Sequence, residues 1–206
     1  IGISNRAISS RWTHLFGDNL FSVFNVSWSR YRNSFTANNA GFQTEVENII
    51  QDFPLKGNLE WFVNTQWTVK SGFEANRFVL NYLQNFTGNA DSAIAEGTND
   101  GGITNLEETD NTASAFIQSN YEFSNLLSLQ TGLRVNYYQM RDIFKVGPRI
   151  AMRYQLDSDV ALKAAFGVYH QYFRLASVPD FSFFDTWLPT DSTVDPSRAI
   201  HYVLGM

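Results

Sequence analysis

The stretch Leu127–Met140, LSLQTGLRVNYYQM, alternates in character from residue to residue. Leu127, Leu129, Leu133 and Val135 occupy odd positions, and the even positions between them hold mainly polar residues and glycine. A period of two residues predicts a β-strand with one apolar and one polar face. The apolar face of such a strand contacts either the core of a soluble protein or lipid.

Composition narrows this choice. The chain has 206 residues, a net charge of -5, 16% aromatic residues and no cysteine. It contains no run of about 18 apolar residues, which excludes a transmembrane helix, but alternation would hide a membrane-crossing strand. The absence of cysteine excludes disulfides and thiolate metal sites, and no basic patch indicates nucleic acid as a partner. No composition shift marks a linker, so we treat residues 1–206 as one domain.

Alternating segments follow one another along almost the whole chain. Tight turns are predicted at 17–19, 63–65, 124–126 and 157–159, and longer connections at about 34–44, 84–111, 141–144 and 175–196. Because turns and longer connections alternate strictly, all turns should lie at one end of the strands and all longer connections at the other. The nine predicted strands are about 6–16, 20–33, 45–62, 66–83, 112–123, 127–140, 145–156, 160–174 and 197–206.

The lengths of these segments favour a membrane barrel over a soluble sandwich. Sandwich strands are usually about five or six residues long, whereas outer-membrane strands need about 9–11 residues and join through short periplasmic turns and longer external loops. Aromatic residues near both strand ends predict two girdles, with Trp61, Trp67, Tyr121 and Tyr154 near the turns and Trp28, Tyr31, Tyr137 and Tyr138 toward the loops. We therefore predict an all-β fold, a transmembrane antiparallel up-and-down β-barrel.

The number of strands indicates that this barrel is partial. Complete bacterial barrels have an even number of strands, and nine are predicted here. We expect residues 1–206 to be a fragment, truncated at both ends, of a larger barrel.

Two segments resemble a known family. GPRIAMRYQLDSDVALKAAFGVYHQYFRLAS (147–177), followed by VDPSRAIHYVLGM (194–206), resembles the later barrel strands of TonB-dependent receptors, and AFIQSNYEFSNLLSLQTGLRVNYY (115–138) is similar to the strand pair before them. The resemblance implies a barrel of about 22 strands closed by an N-terminal plug. It also implies location in the outer membrane of a Gram-negative bacterium.

The same resemblance implies a function and partners. Such receptors bind a scarce solute, such as a siderophore, cobalamin or an oligosaccharide, at the outer face and import it with energy from the TonB complex. The implied partners are outer-membrane lipid, the TonB complex acting through the plug, the solute and a surface lipoprotein. A passive porin-like channel and a soluble all-β carbohydrate-binding module are the alternatives.

Two sets of residues are candidates for contact with a solute or the lumen. An aromatic cluster in the last long connection could form a platform for a ligand, or could hold that loop over the rim. Its members are Phe181, Phe183, Phe184 and Trp187. Polar-face residues are expected to face the lumen, where they could also form a charge network with neighbouring strands and the plug. These are Gln130, Arg134, Arg149, Arg153 and Lys163.

Catalytic and metal-binding motifs are not predicted. The spacing of His14, His170 and His201 matches no metal or catalytic motif, and the acidic stretch Thr98–Asp110 lacks the residue order of a calcium loop. We predict that the chain is not an enzyme and has no cofactor.

Overall fold

The computed structural model describes residues 1–39, 42–88, 103–176, 186–189 and 195–206. These residues form eleven strands and one turn of 3-10 helix, Gln139–Arg141. The strands are β1 (Gly2–Leu15), β2 (Leu20–Asn39), β3 (Phe42–Phe62), β4 (Trp67–Gly88), β5 (Ile103–Glu122), β6 (Leu127–Tyr138), β7 (Ile143–Gln155), β8 (Ala161–Gln171), β9 (Phe173–Ala176), β10 (Thr186–Pro189) and β11 (Ser197–Gly205).

Nine of the strands form one antiparallel sheet in the order β1-β2-β3-β4-β5-β6-β7-β8-β11. From β1 to β8, strands that follow one another in the chain are therefore neighbours in the sheet, as the up-and-down prediction requires. The short strands β9 and β10 pair separately as a hairpin within the last long connection. In the described part of the chain, β1 and β11 form the edges of the sheet, and no helix is long and apolar enough to cross a membrane.

The four predicted tight turns are confirmed, and they all lie at the same end of the strands. Short backbone bonds close them, such as Phe16 N–H to the Leu20 carbonyl at 2.8 Å and Leu156 N–H to the Val160 carbonyl at 2.9 Å. Gly17 adopts a φ of +77°, a conformation that glycine reaches without steric penalty. We call this end of the strands the turn side and the opposite end the loop side.

Strands β2 to β5 extend farther toward the loop side than predicted. They are 20 to 22 residues long, so a strand such as β4 spans about 70 Å. The predicted connection at 34–44 is wrong, because β2 continues to Asn39 and β3 begins at Phe42. Four strands therefore project well beyond the length that one membrane crossing needs.

Pro54 does not cause the bulge that its missing N–H would predict. Val26 pairs with Leu55 and Ser29 with Asp52, so the register of β2 and β3 is the same on both sides of the proline. The backbone N–H of the preceding residue, Phe53, is bound instead by the side-chain oxygen of Asn76 at 3.1 Å.

Candidate functional site

The strand registers divide the sheet into two faces of opposite character. One face carries a belt of positions with no Asp, Glu, Lys or Arg, which we call the apolar band. It comprises every second residue of 8–14 in β1, 20–28 in β2, 53–61 in β3, 69–75 in β4, 113–121 in β5, 127–135 in β6, 146–154 in β7, 162–168 in β8 and 200–204 in β11.

The apolar band has the height of one membrane crossing. In β2, β3, β5, β6 and β7 it covers nine residues, within the range of about 9–11 that a tilted membrane strand requires. Large side chains in it are open to the surroundings, with Ile117 56%, Leu133 44% and Ile150 45% exposed. Continuous exposed apolar surface of this kind marks contact with a partner or with lipid.

Aromatic side chains border the band on the turn side. Trp61, Trp67, Tyr121 and Tyr154 lie on the band face, and the Trp67 indole Nε1 donates to the Ser119 hydroxyl at 2.9 Å. An apolar ring with a polar group is suited to the interface between lipid and water. These positions agree with the predicted girdle on this side.

The predicted girdle on the loop side is partly wrong. Trp28 and Tyr137 share the face of the band, but Tyr31 and Tyr138 lie on the opposite face. Tyr138 is fully buried and stacks on Tyr172 with ring centroids 4.8 Å apart. It is therefore packed against other side chains on the polar face.

All five residues predicted to face the lumen share the second face, which we call the polar face. Arg134 is opposite Gly147, Gln130 is opposite Ala151, and Arg153 is opposite Lys163. Arg149 has the same alternation as Arg153 and joins them. The structure thus brings these residues to one side of the sheet, away from the apolar band.

A charge network crosses four strands of the polar face. The Glu74 carboxylate lies 2.9 Å from Lys56 Nζ and 3.3 Å from Arg134 Nη2. Arg134 also donates to the Ser114 hydroxyl at 2.6 Å and to the Asn136 side-chain oxygen at 3.0 Å. The sequence-based alternative, a network with neighbouring strands, therefore describes Arg134.

The other three cations of the candidate set have no carboxylate partner within 4.0 Å among the described residues. The Arg149 guanidinium lies 4.7 Å from the centre of the Tyr169 ring, and Arg153 donates to Gln155. Arg153 and Lys163 are directly opposite each other, which is unfavourable for like charges unless another group compensates them. They line an open cavity of about 520 Å³ together with Gln130, Ala151, Ala165 and Val203. The Glu122 carboxylate lines the same cavity, so this open part of the polar face carries charges of both signs.

Beyond the loop side of the band, apolar residues change faces. Val46 and Leu80 are only 3% and 5% exposed and lie on the polar-face side of the projecting strands. Ile50 pairs with Leu80, and Tyr82 pairs with Leu106 on the same side. Of these residues only Leu106 lies outside the strands predicted from the sequence, and the sequence analysis missed that the others are apolar residues on the polar face. The signal that could have revealed this surface was position parity, because Leu80 and Tyr82 share their parity with Lys70 and Glu74 in the predicted strand 66–83.

Asp110 lies in β5 just beyond the band and joins this strand to the 3-10 helix by a hydrogen bond. It is 4% exposed, and its Oδ1 accepts the N–H groups of Asn111 at 2.8 Å and Met140 at 3.2 Å. Burial raises the pKa of this carboxyl, and hydrogen bonds from Tyr138, Asn111 and Met140 partly oppose that shift. Asp110 and residues 103–109 of the predicted acidic loop belong to β5, and residues 98–102 lie outside the described part of the chain.

Each of the three histidines has different surroundings in the described part of the chain. His14 packs against Trp12 and Phe16 near the turn side, His201 packs against Tyr169, and His170 pairs with Arg198 toward the loop side. Among the described residues, no three His, Asp or Glu side chains are placed to hold a metal ion. Phe181, Phe183 and Phe184 lie outside the described residues, and the backbone of Trp187 pairs with Leu175 in the β9–β10 hairpin.

Three solved structures with similar folds are each much longer than this chain. The ferric citrate transporter FecA in its unliganded form is 9% identical, with a TM-score of 0.62 over 81% of this chain and 27% of its own. The siderophore receptor PirA from Pseudomonas aeruginosa is 13% identical, with a TM-score of 0.56 over 98% of this chain and 43% of its own. The RagAB peptide transporter is 8% identical, with a TM-score of 0.56 over 98% of this chain and 27% of its own.

At such low identities these likenesses concern the fold, and the chain spans less than half the length of each of these structures. No curated protein matches the sequence. The sequence profile of the family described as "TonB dependent receptor-like, beta-barrel" matches residues 2–206, almost the entire chain. The chain therefore belongs to the TonB-dependent receptors of the Gram-negative outer membrane and forms part of their β-barrel.

Proposed function

We propose that this chain forms part of the wall of an outer-membrane receptor that imports a scarce solute with energy delivered by TonB. The observation that carries the proposal is the apolar band, which combines the height of one crossing with the absence of charged residues. In lipid, every backbone polar group needs a partner within the protein, so the sheet must continue into a closed barrel. Residues 1–206 are then one segment of a larger barrel domain.

The polar face is proposed to line the lumen. Exposed apolar side chains on one face and charged side chains on the other suit lipid on one side and water or a plug on the other. Gln130, Arg134, Arg149, Arg153 and Lys163 would then be accessible from the interior. The projecting loop-side strands would surround the external mouth.

The solute is proposed to belong to the siderophore, cobalamin or oligosaccharide classes. Similar structures include a ferric citrate transporter and a siderophore receptor, which supports the first of these classes. The similar RagAB peptide transporter adds peptides as a class to test. A surface lipoprotein partner and the aromatic platform of Phe181, Phe183, Phe184 and Trp187 stay predictions.

The orientation of the wall can be tested by labelling single cysteines, because the chain has none of its own. Thr131→Cys and Gln130→Cys place a thiol on adjacent residues of opposite faces. In the intact receptor in its membrane, a lipid-soluble maleimide should label the first and a small water-soluble maleimide the second. Equal labelling of both positions by the water-soluble reagent would contradict the membrane assignment.

The energised step can be tested in cells that produce the intact receptor with or without TonB. Ferric citrate, a ferric catecholate siderophore, cobalamin, a maltooligosaccharide and a defined peptide serve as labelled probes. We expect accumulation of one class only when receptor and TonB are both present. Accumulation without TonB would instead indicate a passive channel.

A further inference from the structure

Arginines on the face of the apolar band are confined to its loop side. Among the described side chains, this face carries five arginines, and each lies beyond the last apolar position of the band on its strand. They are Arg6, Arg30, Arg32, Arg77 and Arg198. On the turn side of the same face, the described residues bordering the band include aromatic rings but no lysine or arginine.

Arg6 and Arg30 are the most closely spaced of these five arginines. They are directly opposite each other in β1 and β2, so their Cα atoms are about 5 Å apart. The next pair toward the turn side is Ile8 and Trp28, which belong to the apolar band. Two positive charges thus stand side by side at the point where the band ends.

Neither arginine is neutralised by the described part of the protein. Arg32 pairs with Glu47, whereas Arg6 and Arg30 have no carboxylate within 4.0 Å. The Nε of Arg30 is also buried without a hydrogen-bond acceptor among the described residues. Like charges opposite each other in a sheet destabilise it, and a buried donor without an acceptor adds to that penalty. An anion at this point would relieve both effects.

We propose that Arg6 and Arg30 bind the phosphate of a lipid headgroup in the outer leaflet. This inference rests on the proposed function, because the membrane orientation sets the height of the arginines. At that height, directly beyond an apolar belt, the groups available in a membrane are lipid headgroups. A guanidinium offers a planar fork of donors that matches phosphate oxygens in two parallel hydrogen bonds. Arg77 and Arg198 also lie just beyond the loop side of the apolar band, on other strands.

The test compares the intact receptor in vesicles of a phosphate-free galactolipid that contain either diphosphorylated lipid A or the same lipid after removal of its phosphates. We expect a higher Tm with the phosphorylated lipid and loss of that difference in the Arg6→Gln/Arg30→Gln variant. The amount of lipid A retained through purification should fall about thirtyfold, since each cation near a charged membrane surface contributes about a factor of five.

The Arg149→Gln/Arg153→Gln variant is the matched control, because both residues lie on the polar face. It should keep the full lipid-dependent difference in Tm, whereas Arg6→Lys/Arg30→Lys should keep only part of it, because an ammonium group cannot form the two parallel bonds. Inorganic phosphate in place of lipid A should not raise Tm, and an equal rise would show capture of a free anion and overturn the lipid assignment.

The inference is also overturned if Arg6→Gln/Arg30→Gln retains the wild-type difference while it inserts with native heat-modifiable mobility. Failure of the proposed function would look different. A chain that is not a membrane wall would fail to insert into either kind of vesicle.

Discussion

Arg134 Nη2 lies 3.3 Å from Glu74 Oε2, although a complete strand, β5, separates the two residues in the sheet. The guanidinium leans across Ser114 on that strand, and Lys56 reaches the same carboxylate from the opposite side at 2.9 Å. One carboxylate therefore ties β3, β4 and β6 together on the polar face. Glu74 and Arg134 are about one-third exposed and Lys56 is 45% exposed, so the network is only partly shielded from water.

We expect Glu74→Gln to lower the free energy of unfolding by about 1 kcal/mol, because it leaves Lys56 and Arg134 near each other without an anion. Urea unfolding of the intact receptor in lipid measures the change. Glu60→Gln is the control, since among the described residues Glu60 forms a single ion pair, with Lys70 at 2.7 Å. An equal effect of both substitutions would show that the three-residue network adds nothing to a simple pair.

Thr131→Arg should impair assembly of the receptor, whereas Gln130→Arg should leave it almost unchanged, although the two residues are adjacent. Thr131 is the middle position of the apolar band in β6, and an arginine at the midplane of a bilayer costs about 2–4 kcal/mol. Gln130 lies on the polar face, where we expect almost no change. The fraction of receptor that assembles with native heat-modifiable mobility reports both effects. Comparable assembly of the two variants would contradict the assignment of the faces.

Gly72→Ala should destabilise the sheet far more than Gly132→Ala. A Cβ on Gly72 would lie 2.5 Å from the backbone oxygen of Gly57 and 2.7 Å from the Phe116 ring, and the backbone atom cannot move aside easily. Overpacking of this kind typically costs about 1–3 kcal/mol. A Cβ on Gly132 would meet nothing closer than 3.4 Å. Thermal unfolding of the two variants should separate them, and equal Tm values would refute the close contact.

The membrane-crossing part of the fold could be predicted because its signals are local. Within the band, alternation contrasts lipid-like with water-like side chains, and the turns carry their own chemistry, as in Asn64, which accepts the Gln66 N–H at 2.9 Å. Beyond the band this contrast disappears. In residues 79–86, Val79 and Leu83 share one face with Asn81, while Leu80 and Tyr82 share the other with Gln84. Residues 84–88 of β4 and 103–111 of β5 were therefore missed as parts of strands.

The candidate site could be predicted only to the level of a face. Parity along each strand grouped Arg134 with Gln130, but nothing in the sequence joins Arg134 to Glu74, which is 60 residues away. Parity also shows why one girdle prediction failed, since the adjacent residues Tyr137 and Tyr138 must point to opposite faces of a strand. The pairing of Arg6 with Arg30 likewise depends on register, which a turn and two strands determine together.

The stability of the junction at Asp110 should depend on pH. Burial raises the pKa of this carboxyl in the folded state, so the folded receptor favours the protonated form more than the unfolded chain does. The resulting stabilisation is complete below the unfolded pKa and is lost as the pH rises through the folded pKa. Asp110→Asn has no such titration and resembles the protonated acid.

We therefore expect the Tm of wild type minus that of Asp110→Asn to fall as the pH is raised from the ordinary pKa of aspartate toward neutrality. Thermal unfolding of the intact receptor in lipid over that pH range measures the difference. Asp157→Asn, in an exposed turn, supplies the control for general titration. Asp110→Ala should be less stable than Asp110→Asn at every pH, because alanine leaves the N–H groups of Asn111 and Met140 without their acceptor. A difference in Tm between wild type and Asp110→Asn that stays constant with pH would contradict the raised pKa. A carboxyl makes stability depend on pH only when its pKa differs between the folded and unfolded states.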